Sequence, residues 1–112
     1  MRWFLRSKIH KATVTEANLE YVGSITIDKN LIDAVGILPH EKVQVVSNTS
    51  GARLETYVIE GKAGSGIVCM NGACSHLIKK GEEVIIMGYE LGDPIESKII
   101  LVDKNNKIEK VL

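Results

Sequence analysis

A glycine directly followed by a serine, Gly23-Ser24, stands in the middle of EYVGSITID, between two runs suited to extended backbone. A hydroxyl one residue beyond a position that lacks Cβ has an open approach to the preceding carbonyl carbon, so one chemistry available here is attack of the chain on itself. The other reading is an ordinary strand edge or turn. Further groups able to do chemistry are Lys8 and His10 in SKIH, Arg53, Thr56 and Tyr57 in ARLETY, and Asn71, Gly72, Ala73 and Cys74 in VCMNGACSH. Alternation along a strand puts Arg53 and Tyr57 on one face and Thr56 on the other, and gives Lys8 and His10 a shared face. Each has a plain alternative: a solvated hairpin charge, a half-buried strand aromatic, a surface strand residue, a tight turn.

Several chemistries are excluded by the same inspection. His10, His40 and His76 are scattered, and no Cys and His recur at ligand spacing, so no metal site is expected. The two cysteines fit free thiols in a reducing compartment. Gly61, Gly64 and Gly66 form a loop between strands and not the strand-to-helix turn of a nucleotide fingerprint. Fourteen basic and fourteen acidic residues cancel without long runs, which gives no footprint for nucleic acid. The apolar run near the N-terminus is too short for a signal peptide and nothing later approaches a membrane span, so a cytoplasmic location is expected.

The elements that must position these groups are mostly strands. At 112 residues and 45% hydrophobic, the chain can bury a core as one domain, residues 1–112. Lys8 to Thr15 and Val22 to Ile27 read as the first strands. Asp28 then caps a short helix carrying Leu31, Ile32 and Val35 and ending at Gly36. A hairpin turning at Thr49-Ser50-Gly51 follows, then a strand GIVCM, a turn at Asn71-Gly72, and one helical turn near Ala73 to Ile78. A strand EEVIIMGYEL and a last hairpin turning at KNNK complete the pattern. So many short strands with one or two small helices point to a closed or nearly closed β-barrel.

The segments SKIHKATVTEANLEYVGSITID, GARLETYVI and VCMNGACSH, in that order and together with the length, resemble the pyruvoyl-dependent aspartate 1-decarboxylases. The resemblance runs from about Met1 to about Glu90. It implies a mainly β fold, a double-psi β-barrel, assembled as a homotetramer with no nucleic-acid or membrane partner. It also implies a proenzyme that cuts itself between Gly23 and Ser24 into residues 1–23 and 24–112. Ser24 would become a pyruvoyl group, the electron sink for decarboxylating L-aspartate to β-alanine, the precursor of pantothenate and coenzyme A, with no metal or external cofactor.

Residue by residue, the resemblance makes Ser24 and Tyr57 catalytic, with Tyr57 as proton donor. Gly23, Ser24, Thr56 and Asn71 would serve the cleavage. Lys8, Arg53, Thr56, Gly72, Ala73 and Cys74 would bind substrate, and Tyr21 would support or pack. Thr56 points away from Arg53 and Tyr57 on a regular strand, so a bulge or a neighbouring subunit would have to reconcile them. Cys74 replaces a common alanine, and Val22 a common acidic residue. A decarboxylase of glutamate, one methylene longer, and a non-enzymatic barrel with Gly23-Ser24 intact are the competing expectations.

Overall fold

Nine strands and two short helices make up the computed structural model, which describes residues 1–112. In chain order these are β1 (Arg2–Thr13), β2 (Glu16–Asn18), β3 (Ser24–Asp28), α1 (Lys29–Val35), β4 (Lys42–Ser47), β5 (Arg53–Gly61), β6 (Val68–Asn71), α2 (Cys74–Leu77), β7 (Glu83–Gly92), β8 (Lys98–Val102) and β9 (Ile108–Val111). They form one mixed sheet in the order β2-β6-β3-β5-β4-β7-β1-β8-β9. Inward side chains, among them Ile9, Ile25, Ile27, Val45, Val58, Met70 and Ile86, meet in a single core cluster. No helix is long and apolar enough to cross a membrane.

The expected strands are present with shifted ends. β1 begins at Arg2 and not Lys8, because its first residues pair antiparallel with the end of β7, Arg2 opposite Gly92. That pairing is tertiary and has no local signature. β1 also breaks register between Leu5 and Ser7 and between Ile9 and Ala12, where Lys11 takes a positive φ of 64°. Bulges of this kind bend a long strand around a barrel, and β1 pairs with β7 along one edge and β8 along the other. The three-residue β2 carries no strand signal of its own; it is held by parallel pairing to β6.

The short helix follows its sequence signals. Asp28 accepts the Asn30 N–H at 2.8 Å, Gly36 closes the helix at φ 74°, and Leu31, Ile32 and Val35 are buried. The Asp28 carboxylate does more than cap. It also accepts the N–H groups of Gly64 at 3.0 Å and Gly66 at 2.8 Å, which pins the glycine loop after β5 to the end of β3. With α1 and this loop fixed, β3 is anchored at its far end, and Ser24 at its near end faces β6.

Candidate active site

Ser24 opens β3, and its side chain is fully buried. Register alone brings it to Asn71: β3 and β6 run antiparallel with Ser24 opposite Asn71. The Asn71 side-chain amide donates to Ser24 Oγ at 2.9 Å and to Thr26 Oγ1 at 2.9 Å, which uses both amide hydrogens. Ser24 Oγ in turn donates over a long 3.4 Å to the Val22 carbonyl. Behind the amide, the buried Cys69 thiol donates to Asn71 Oδ1 at 3.1 Å. The serine hydroxyl is therefore held by a connected network of protein groups.

The bond before Ser24 is kept accessible. A Cβ built on Gly23 would meet nothing closer than the Asn71 carbonyl oxygen at 3.9 Å, so one side of this residue is open. Its other side is clasped by Gly72, which follows β6 with φ 63°. A Cβ on Gly72 would stand 2.7 Å from Gly23 Cα, Gly23 N and the Tyr21 carbonyl oxygen. Gly72 N–H donates to the Asn18 carbonyl at 2.8 Å, and Ser75 closes on the Gly72 carbonyl through its hydroxyl at 2.7 Å and its N–H at 3.0 Å. Gly72→Ala should accordingly force the Tyr21–Gly23 segment outward at a cost of roughly 1–3 kcal/mol. Slower chain scission at Gly23–Ser24 and a lowered melting temperature are the expected readings, and native values for both would show that the close approach is dispensable.

β5 supplies the next groups. It pairs parallel with β3, Ile25 opposite Val58, so one step earlier Ser24 is level with Tyr57. Ile25 and Val58 are both buried and point inward, which leaves Ser24 and Tyr57 on the same outer side. The Tyr57 ring is 36% exposed and is met edge-on by His40, with centroids 6.0 Å apart. Arg53 lies four residues earlier on the same face, about 13 Å along the strand, is exposed, and makes no ion pair. Thr56 points to the other face with Leu54 and Val58, and β5 is regular through this stretch, so no bulge brings Thr56 round.

Lys8 is not in this group. It lies on β1, four positions from β3 in the sheet, half-buried and with no acidic partner. His10 is nearby on the same strand. Its Nδ1 is buried without a partner, and its pKa is lowered by burial first and then by the charges of Lys8 and Lys11. Ala73 and Cys74 start α2 just after Gly72, with Ala73 exposed and Cys74 half-buried as a free thiol. Tyr21 and Val22 are exposed in the loop before Gly23. A cavity of about 750 Å³ lies over Trp3, Arg6, Gln44, Glu55 and Tyr89 and includes neither Ser24 nor Asn71.

Thr26, Asn18 and His40 are site neighbours that sequence reasoning missed. Thr26 could have been found by alternation, two residues from Ser24 on one face. Asn18 acts through its backbone, and His40 meets Tyr57 only through the fold, so neither leaves a local trace.

A mixed nine-stranded sheet around one core, with a buried serine at a strand start clasped by a glycine from the facing turn, places the chain among the double-psi β-barrel proteins. The crystal structure of the rationally designed mkDPBB_sym1 protein superposes with a TM-score of 0.53 at 25% identity, over 76% of this chain and 96% of that one. Residues 1–109 match the family model described as aspartate decarboxylase. The chain belongs to the aspartate decarboxylase family. The aspartate 1-decarboxylase of Bacillus subtilis is 54% identical across 99% of this chain and 91% of its own length. That of Neisseria meningitidis is 56% identical over the same shares.

Proposed function

We propose that the chain cuts itself between Gly23 and Ser24, keeps the resulting pyruvoyl group at residue 24, and uses it to decarboxylate L-aspartate to β-alanine and carbon dioxide. The β-alanine would feed pantothenate and coenzyme A synthesis. The observation that carries this reading is the buried Ser24 hydroxyl, bonded by the Asn71 amide and placed directly after the open, clasped Gly23. A serine in a plain strand turn needs none of these arrangements.

The chemistry is written on the chain's own atoms. Ser24 Oγ attacks the Gly23 carbonyl carbon; the new C–O bond replaces the C–N bond, and the hydroxyl proton passes to the Ser24 nitrogen. The Asn71 N–H would stabilise the negative charge on Oγ as the hydroxyl proton leaves, before that charge passes to the Gly23 carbonyl oxygen in the attack. Loss of the Ser24 α-proton then expels the Gly23 carboxylate and leaves a dehydroalanine, which water converts to a ketone with release of ammonia. The pyruvoyl group supplies the electron sink that an amino-acid decarboxylation requires and that unmodified side chains lack.

The remaining residues act on the substrate. Arg53, unpaired within the chain, offers a planar fork to a carboxylate. Tyr57, level with residue 24 and on its face, is the group placed to return a proton to the carbon that loses carbon dioxide. Gly72, Ala73 and Cys74 form the turn that borders the same end of β3. Thr56, on the opposite face of an unbulged β5, would reach the Gly23 carbonyl from a neighbouring copy. Lys8 lies too far along the sheet to join within one barrel, so a second copy would supply it, in keeping with a homo-oligomer of the kind the family resemblance implies, a tetramer. Intact-mass measurement of the purified protein, followed by product analysis with aspartate and with glutamate, tests the reading. Fragments of 23 and 89 residues and β-alanine from aspartate are expected. A whole chain, or turnover of glutamate in preference, would overturn it.

A further inference from the structure

We infer that Cys69 is a positioning residue for self-cleavage: its thiol holds the Asn71 amide with the NH2 end toward Ser24 Oγ. This rests on the processing reading above. A carboxamide has one accepting and one donating end of nearly the same shape, and something must choose between them. On the Ser24 side the neighbours are two hydroxyls, Ser24 Oγ and Thr26 Oγ1, each 2.9 Å from Asn71 Nδ2. Thr26 Oγ1 can donate or accept, and Ser24 Oγ is committed as an acceptor only by its long 3.4 Å bond to the Val22 carbonyl, so the two hydroxyls distinguish the ends of the amide only weakly. Behind the amide the only side-chain partner is Cys69 Sγ, 3.1 Å from Oδ1. A protonated thiol donates, and its sulfur accepts only weakly, so it favours the amide oxygen on its own side. The thiol is thereby the stronger asymmetric element of the network.

Two features keep the thiol in its donating form. Cys69 is buried, and Glu16 lies opposite it across the parallel β2–β6 pairing. Burial first and the Glu16 carboxylate second push its pKa up to about 11, so the proton stays on sulfur throughout the neutral range. With the amide turned round, its oxygen would face Ser24 Oγ and oppose the negative charge that Oγ takes on as its proton leaves. As placed, an N–H meets that charge.

Serine and alanine at position 69 separate positioning from packing, because the two roles order the variants oppositely. Simple packing favours alanine, since a buried hydroxyl costs stability without a partner. Positioning favours serine, which restores a donor. The rate at which freshly purified chain splits into 23- and 89-residue fragments is the measurement, with folding followed by circular dichroism. Cys69→Ser should retain most of the native rate, whereas Cys69→Ala and Cys69→Val should slow by about fivefold to tenfold, the bias of roughly one hydrogen bond. Folding of the serine variant alone also supports the donor role. Native rates in folded Cys69→Ala or Cys69→Val overturn the inference and leave the processing reading intact. Faster splitting with alanine than with serine, or loss of folding in all three, assigns Cys69 to packing. If the native chain itself never splits, the processing reading fails first and this inference falls with it.

Discussion

Replacing Ser24 by alanine should leave a single 112-residue chain with no decarboxylase activity at all. The hydroxyl is the nucleophile of the proposed scission, and the Asn71 amide bonded to it offers no nucleophile in its place. On the proposed chemistry the loss is complete and not a matter of degree, because no pyruvoyl group would form. The fold should survive, since alanine removes one oxygen from a buried position and leaves Thr26 to accept from Asn71. Mass spectrometry decides the matter: continued appearance of fragments of 23 and 89 residues in the Ser24→Ala chain would mean that ordinary proteolysis cuts this loop.

Much of that site is legible in the residues alone. Gly23-Ser24 announces an open backbone beside a hydroxyl, and Asp28 with Gly36 bounds α1 correctly, because capping is written within a few residues. The hairpin at Thr49-Ser50-Gly51 is readable for the same reason. Register is what the residues do not disclose. That Ser24 faces Asn71, that Tyr57 stands beside Ser24, and that Arg2 pairs with Gly92 are facts about residues far apart in the chain, and period-two alternation gives faces but no partners. Alternation does predict that Thr56 opposes Arg53 and Tyr57, and the unbulged β5 keeps that opposition. Asp28 shows the same limit from another side: its cap is local and legible, whereas its grip on Gly64 and Gly66 spans more than thirty residues and is not.

Tyr57→Phe should separate making the cofactor from using it. The ring stays against His40 and the strand is unchanged, so scission at Gly23–Ser24 should proceed as in the native chain. Decarboxylation itself needs no phenol. Returning a proton to the correct carbon is the step proposed for it, and loss of a positioned acid typically costs about 10²- to 10⁴-fold. The misdirected proton would leave the substrate nitrogen on residue 24, which ends as alanine and inactivates the enzyme. Incubation with aspartate should thus show a low kcat that decays with turnover, alongside a mass change confined to the 89-residue chain. Native kcat with a constant mass over many turnovers would remove Tyr57 from the role and leave water or another side chain as donor.

The bond proposed for scission lies between strands that never part. Residues before it contribute β1, paired on one side with β7 and on the other with β8, and β2, paired with β6. Cutting at Gly23 consequently releases nothing, but it changes the molecularity of unfolding. The intact chain unfolds and refolds as one molecule, with a midpoint independent of concentration. Once nicked, each barrel is a complex of two chains, so its melting temperature should rise with protein concentration. Refolding then requires two separate strands of polypeptide to find each other without the loop that first brought them together. The mature barrel would owe its lifetime to slow unfolding more than to easy recovery.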